Sequence, residues 1–586
     1  MREPPTGAGP TVSGPADAAA GSSPPAAGDA ERTEPSLGRS SRIMAVATAA
    51  SRLTGFLRSL AIAAAIGLGL VGDAYNTANT LPNIVYELLL GGVLTSVVVP
   101  LLVHAQERDA DRGEAYTQHL LSLATAALAV ATVLAVLAAP LLTALYVGAD
   151  SPKAGLTTLF AWLLLPEIFF YGVGAMFGAI LNTRGVYGPA AWAPVLNNLV
   201  VIATAGVFVL LPGPVTLRPD TITTTQVLVL GIGTTLGIVL QALVLVPALR
   251  RSGFRWRRRR RSTRPASPLH EAGTLALWVL GYVVVSQIGY VVITRLANEV
   301  DTPGRGYAVF ANASLLFQMP YGILGVSLLT ALMPRMSRAS ARGDRAGVIS
   351  DLSLGSRLTA VALVPVTAAF VVLGPAIGTV VYAHGQSTAD AARQVGVVLA
   401  ASAFGLVPFA VTMLQLRVFY ATKDARTPTL INVGMVAAKI ALAVAVSLVV
   451  PDEHVVTGLA VATSISYVVG VVLGEVLLRR RFGRLDSARV LRSTVRLSVV
   501  SVLGGLAAWG VLVLVTARLG AGVAGSAVAV VAGSAAGLAV VAAVLLRWRT
   551  SELDELVRSL RGRRAAAPRG PAPPDPPDNG GRHRVR

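Results

Sequence analysis

The sequence predicts an all-α membrane protein of fourteen transmembrane helices: two six-helix lobes related by a parallel pseudo-two-fold, plus two extra C-terminal helices. Three observations carry this expectation. The 586 residues are 53% apolar and 14% charged, with a mean hydropathy of +0.64, whereas a soluble chain carries about a quarter charged residues. Apolar segments recur at the length that spans a hydrocarbon core. The basic residues gather at the ends of alternate segments, so the net charge of +20 describes topology and not nucleic-acid binding. The chain has no Cys, which removes thiolate chemistry and disulfides.

In chain order, residues 1–40 are rich in Pro, Gly, Ala, Ser and acidic side chains without an apolar core, the composition of a disordered tail and not of a signal peptide. Apolar segments then fall near 43–67, 74–103, 119–148, 156–182, 189–211 and 222–249, forming an N-terminal lobe over 41–250. A basic loop, 251–271, leads to segments near 272–299, 307–333, 354–382, 393–421, 428–450 and 455–478, a C-terminal lobe over 272–480. Two more segments, 493–517 and 523–547, precede a Pro- and Arg-rich tail at 548–586. Each segment has at least about 20 residues, enough to cross at about 1.5 Å per residue.

Loops after even-numbered segments hold 24 basic residues and those after odd-numbered segments hold 4. The positive-inside rule places both termini and the Arg-dense loops in the cytoplasm, and those loops are expected to meet anionic lipid. Arg outnumbers Lys heavily, since only Lys153, Lys423 and Lys439 are Lys; with the Ala, Val and Gly excess this suggests a high-GC bacterial genome and a multi-pass protein of the bacterial cytoplasmic membrane. Pro82 recurs as Pro320 after 238 residues and Pro189 as Pro428 after 239. Matching offsets indicate duplication, and a six-helix unit repeats in parallel, an architecture that places substrate between the halves near mid-membrane.

Ionisable groups inside the membrane need a partner or a wet cavity. Arg52 and Arg58 lie roughly 13 and 22 Å along the first helix, too deep for both to snorkel. Guanidinium groups bind phosphate oxygens bidentately, so the pair reads as a phosphate receptor; the competing reading is an ion pair with Asp73 or Glu87 on the second helix. Glu167 and Lys439 are also deep, and each is a candidate coupling site or an interhelical pair. Arg295, Arg417 and Glu475 lie near helix ends, where snorkelling accounts for them. The six His have no metal-binding spacing, and no Walker A pattern occurs. No cofactor and no metal are expected.

Ser51-Arg52-Leu-Thr-Gly55-Phe56-Leu-Arg58, Gly72-Asp73-Ala74, Leu81-Pro82-Asn83, Gly92 and Pro100 resemble the N-terminal signature of the MurJ (MviN) flippases. Gln318-Met-Pro320-Tyr-Gly322-Ile-Leu-Gly325-Val to Leu332-Met-Pro334, and Arg417-Val-Phe419-Tyr420-Ala-Thr-Lys-Asp424-Ala-Arg426-Thr427-Pro428, are similar to that family's helix 8 and helix 10–11 loop. The resemblance spans about residues 40–547. It implies the fold of the multidrug/oligosaccharidyl-lipid/polysaccharide exporter superfamily: two lobes around a central cavity, with helices 13 and 14 forming a groove for a lipid tail.

The implied activity is movement of lipid II, the undecaprenyl-pyrophosphate-linked peptidoglycan precursor, from inner to outer leaflet, with cell-wall synthesis proteins as partners. By the same resemblance, Arg52 and Arg58 hold the pyrophosphate, and Asp73, Asn83 and Glu87 are polar or ion-pairing groups of the cavity. The chain departs from many relatives in having Glu87 and Leu315 where further arginines stand. Its seventh helix also lacks an interior Asp, and its eleventh carries Lys439, whose ammonium stands where some relatives bind sodium. The reading is alternating access without bond-making chemistry. Two alternatives stay open: a flippase for another polyprenyl-linked glycan or a drug exporter of the same fold, and a non-transporting membrane scaffold.

Overall fold

A computed structural model describes residues 37–87, 102, 113–214, 216–254, 270–422 and 424–547. Residues 1–36 of the N-terminal tail, the tail at 548–586, most of the basic loop, Gly92 and Pro100 lie outside the described residues, and residues 37–40, expected in the tail, are helical. The described residues are almost wholly helical, and twelve helices among them, against the fourteen expected along the chain, are long and apolar enough to cross a membrane. The N-terminal lobe contains α1 (Leu37–Ile66), α2 (Leu70–Glu87), α3 (Glu114–Leu137), α4 (Ala139–Tyr146), α5 (Ala154–Leu164), α6 (Glu167–Thr183), α7 (Gly188–Leu210), α8 (Thr224–Leu243) and α9 (Leu245–Arg251). The C-terminal lobe contains α10 (His270–Asn298), α11 (Tyr307–Pro320), α12 (Val326–Ala341), α13 (Arg345–Tyr382), α14 (Ala389–Ser402), α15 (Leu406–Ala421), α16 (Arg426–Val449) and α17 (Asp452–Phe482). Helices α18 (Ser487–Leu519) and α19 (Val523–Arg547) follow.

Five segments expected as single helices are broken, and proline explains four of the breaks. Proline lacks an N–H and its ring presses on the carbonyl four residues earlier. Accordingly the chain breaks at Ala138 ahead of Pro140, at Leu165 and Pro166, at Val244 ahead of Pro247, and through a 3-10 turn, Ala403–Gly405, ahead of Pro408. The fifth break is a π turn, Tyr321–Gly325, directly after Pro320. Pro166 and Gly405 are 239 residues apart, the offset of the sequence repeat, so equivalent helices of the two lobes break at equivalent points. Pro189 and Pro428 likewise sit in the first turns of α7 and α16, where a missing N–H costs nothing.

Each lobe has its own apolar core. Tyr75, Phe160, Leu164, Ile168 and Leu230 centre one, and Leu332, Met336, Leu414, Phe419 and Leu478 belong to the other. Helices α18 and α19 pack on α13 through Leu497, Val500, Val541 and Leu545 against Ala360 and Val364. Close backbone approach is paid for with small residues: a Cβ on Gly396 would press on the carbonyl of Gly374 and the Cα of Pro375 in α13, the packing device expected where lipid supplies no hydrophobic drive.

One cluster crosses between lobes. Ala63 and Leu68 of the first lobe pack with Ile293, Ala297, Val300, Tyr307 and Ala308 of the second, all at the end of the bundle opposite the Arg-rich loops. Here the lobes meet.

Candidate functional site: the interlobe cavity and its closed end

The closed end is polar as well as apolar. Asp73, in the first turn of α2, is buried. Its Oδ1 accepts the N–H of Ala308 at 2.6 Å, so a carboxylate of one lobe caps the α11 helix of the other, where unpaired N–H groups and the helix dipole favour an anion. Its Oδ2 lies 3.3 Å from Lys153 Nζ, and Lys153, at the entry to α5, is itself fully buried. Lys153 also donates to the Val300 carbonyl at 3.3 Å and lies 3.5 Å from Asp301 Oδ1. A Cβ on Gly306 would overlap the Asp73 carboxylate, so only glycine lets α11 begin this close.

Around this centre Asn298 Nδ2 donates to Thr77 Oγ1 at 2.9 Å and to the Tyr146 carbonyl at 3.2 Å. Arg295 donates to the Ala144 carbonyl at 3.0 Å, Gln386 N–H to the Ala64 carbonyl at 2.8 Å, and Ser387 Oγ to the Ala63 carbonyl at 2.8 Å. The hydroxyls of Thr80, Tyr307 and Tyr290 form a chain at 3.1 and 2.5 Å. These bonds tie one lobe to the other.

Beneath this closure lies a cavity of about 170 Å³, lined by Arg58 and Ser59 of α1, Tyr75, Asn76 and Asn79 of α2, and Asn312 and Leu315 of α11. The Asn76 and Asn312 amides each return one hydrogen bond, at 2.8 Å, to a carbonyl four residues earlier; an amide nitrogen has a second hydrogen to offer. Arg58 is half-buried, and among the described residues it forms no salt bridge. Asn198 of α7 fixes the helix that carries it, donating to the Ser51 carbonyl at 3.2 Å and Thr54 Oγ1 at 3.0 Å.

Arg52 is exposed and lies against the π turn, where a Cβ on Gly322 would overlap its guanidinium. The charges of Arg52 and Arg417 both reach Tyr321, and that of Arg417 also reaches Tyr282 and Tyr420. Six residues separate the two arginines of α1, so Arg58 stands at the apex of the seam and Arg52 roughly 9 Å nearer the Arg-rich end.

These placements change several sequence expectations. Asp73 pairs with Lys153 and the α11 backbone instead of with either arginine, because it sits one turn from the closed end of α2 while Arg58 lies two turns inside α1. At the depth of Arg58 the neighbour on α2 is the Asn76 and Asn79 pair; Glu87 is exposed two turns further on. Asn83 is half-buried and its amide donates to the Asn79 carbonyl at 2.9 Å, so Asn76, Asn79 and Asn83 form one stripe at helical spacing. Arg295, expected to snorkel, instead bonds the Ala144 carbonyl in the closure, while Arg417 is exposed near the end of α15.

Glu167 opens α6 directly after the Pro166 break and is buried. Lys439 is half-buried on α16 and forms no salt bridge among the described residues. No cluster of three or more His, Asp or Glu able to hold a metal occurs among the described residues. Asn76, Asn79 and Asn312 were not singled out in the sequence, although the Asn76-Asn79-Asn83 spacing is visible there.

A second cavity, about 890 Å³, runs between α13, α15, α17 and α18. Its walls include Val364, Val407, Val411, Val468 and Val472, and Glu475, Arg479 and Ser487 lie at one end. Of the two C-terminal helices, α18 contributes to this lining, from Ser487 to Ser498.

The sequence profile of the family described as lipid II flippase MurJ matches residues 62–531. The probable lipid II flippase MurJ of Rhizobium meliloti (strain 1021) is 29% identical over 407 residues, 69% of this chain and 72% of that protein. That of Haemophilus influenzae is 26% identical over 488 residues, 79% and 90% of the respective chains. Among solved structures, a lipid II flippase MurJ in an inward closed conformation superposes with a TM-score of 0.68 at 20% identity, covering 87% of this chain and all of that one. An inward-facing multidrug resistance MATE transporter of the MOP superfamily superposes at 0.56 with 16% identity, over 74% of this chain and 98% of the other. Both likenesses concern the fold.

Proposed function

The chain belongs to the MurJ lipid II flippase family, and from that premise we propose that it moves lipid II from the inner to the outer leaflet of the bacterial cytoplasmic membrane by alternating access. The observation that carries the reading is Arg58: a half-buried guanidinium at the lobe seam, ringed by Asn76, Asn79 and Asn312, with no salt bridge among the described residues. A cation held in that way is arranged for an anion that comes and goes.

In this scheme the Arg-rich end faces the cytoplasm and the conformation is closed toward the outside. The pyrophosphate enters from the cytoplasmic side, meets Arg52 first, and settles against Arg58 and the amides. The polyprenyl chain stays in lipid, with the groove beside α18 as its resting place. The bonds at the closed end then open, the lobes rock, and the headgroup is released outside with every covalent bond intact. The Arg-rich loops rest on anionic headgroups.

The test is direct. Depleting the protein, in cells without a redundant flippase, should protect lipid II from a precursor-cleaving enzyme added outside. Re-expressed Arg52→Ala or Arg58→Ala chains should reach the membrane yet fail to restore cleavage. Unchanged cleavage on depletion, or full restoration by both variants, overturns the reading.

A further inference from the structure

We propose that a small pocket of the C-terminal lobe, walled by Phe317 and Tyr467 with Gln318 at its edge, receives a hydroxyl or amide N–H of the sugar joined to the diphosphate. The inference rests on the proposed diphosphate role of Arg58 and adds a saccharide subsite beside it.

The pocket lies at the depth such a sugar needs. Arg58 shares its cavity with Asn312 and Leu315, and the Arg52 guanidinium lies where a Cβ on Gly322 would be, so α1 and α11 line the seam from opposite sides. Leu315, Gln318 and Gly322 follow at intervals of three and four residues, which puts them on one face. Gln318 is exposed on that face, between the levels of the two arginines. Those levels are roughly 9 Å apart along α1, which leaves room for a sugar ring below a diphosphate held at Arg58.

Behind Gln318 the pocket, about 50 Å³, lies between α11, α14 and α17. Three hydroxyls line it, and each spends its hydrogen on a helix carbonyl: Ser402 on Leu399 at 2.9 Å, Thr463 on Leu459 at 2.9 Å and Ser464 on Ser402 at 2.8 Å. A hydroxyl has one hydrogen but two lone pairs, so what these groups offer the pocket is acceptors. Gln318 Nε2 donates to the Ser314 carbonyl at 3.2 Å, and its Oε1 is a further acceptor.

A lining of acceptors repels an anion and holds a donor. The diphosphate therefore stays with the arginines, and a hydroxyl or amide N–H of the attached sugar suits the pocket. Its walls are apolar: the Phe317 and Tyr467 rings lie 11° from parallel with centroids 6.1 Å apart. Phe409 packs against both rings, at 6.1 and 4.9 Å, and fixes them. Aromatic faces of this kind accept the C–H side of a sugar while the polar groups take its hydroxyls, the division of labour usual in a small-molecule site.

The experiment measures binding of two lipids to the purified full chain in detergent: lipid II, and undecaprenyl pyrophosphate, which has the diphosphate without the sugar. The wild-type chain should hold lipid II more tightly. Gln318→Leu, which removes the amide, and Ser314→Val, which fills the edge of the pocket, should each lose roughly 3- to 10-fold in lipid II affinity. Both should bind undecaprenyl pyrophosphate as the wild type does, which also shows that they fold. Equal loss for the two lipids, or no loss for lipid II in either variant, overturns the subsite alone. So does a wild-type chain that binds lipid II no more tightly than undecaprenyl pyrophosphate, since the pocket then holds only water. A wild-type chain that binds neither lipid overturns the diphosphate reading of Arg58 together with it.

Discussion

At the scale of the residue, the site depends on how a guanidinium differs from an ammonium. Arg58→Lys keeps the charge at the apex but loses the planar fork that matches phosphate oxygens. With about 1.5–3 kcal/mol for a hydrogen bond to a charged group, pyrophosphate affinity should fall roughly 10- to 100-fold, measurable by calorimetry; an unchanged affinity would show that charge alone recognises the anion. Outside the membrane, Asp424 closes the turn between α15 and α16. It accepts from Thr427 N–H at 3.0 Å, Thr427 Oγ1 at 2.8 Å and Arg481 Nη1 at 2.5 Å. Burial pushes its carboxyl up, but the Thr427 bonds and Arg481 outweigh burial and hold it below the ordinary value of 3.8. A depressed carboxyl stabilises above its unfolded pKa and loses that contribution as pH falls through the folded one. Asp424→Asn should therefore lower the melting temperature throughout pH 5–8 by a pH-independent amount, the difference shrinking only below pH 4. The two arginines of α1 were legible in the sequence because charge is conspicuous among apolar residues. The partner of Asp73 was not, since Lys153 lies 80 residues away and depth along a helix says nothing about which neighbour fills a site.

At the scale of the element, segment identity and order were legible from apolar length, while the breaks within segments followed from proline only in some cases. Pro166 and Pro408 coincide with breaks, yet Pro365 and Pro375 lie inside the unbroken 38-residue α13, where neighbouring helices hold the rod together. That helix crosses α14 at Gly374, Gly378 and Gly396 with backbone on backbone. Gly396→Val would force the pair apart, and overpacking of this kind costs about 1–3 kcal/mol. Thermal unfolding in detergent should show a clear loss of stability, whereas Gly510→Ala, with nothing within 4 Å of its added Cβ, should leave stability almost unchanged.

At the scale of the whole molecule, the closure built on Asp73, Lys153 and α11 sets the balance between conformations. Removing one partner of a buried ion pair costs about 3–5 kcal/mol because the other is left uncompensated, and here the cost falls on the closed state. Lys153→Met should shift the population toward opening on the far side. The chain has no Cys, so one introduced as Asn76→Cys reports cleanly: labelling by an impermeant maleimide added outside should rise in the Lys153→Met background, and equal labelling would deny the closure its role. The sequence by itself determined the solvent, the order of the apolar segments, the repeat spacing and the two arginines, because these are written in local composition and spacing. Only the tertiary structure decided that Asp73 serves the closure, that Asn76, Asn79 and Asn312 line one cavity with Arg58, and that Glu167 is buried beside Thr235. Those outcomes depend on which helices cross and at what depth, and such contacts join residues far apart along the chain.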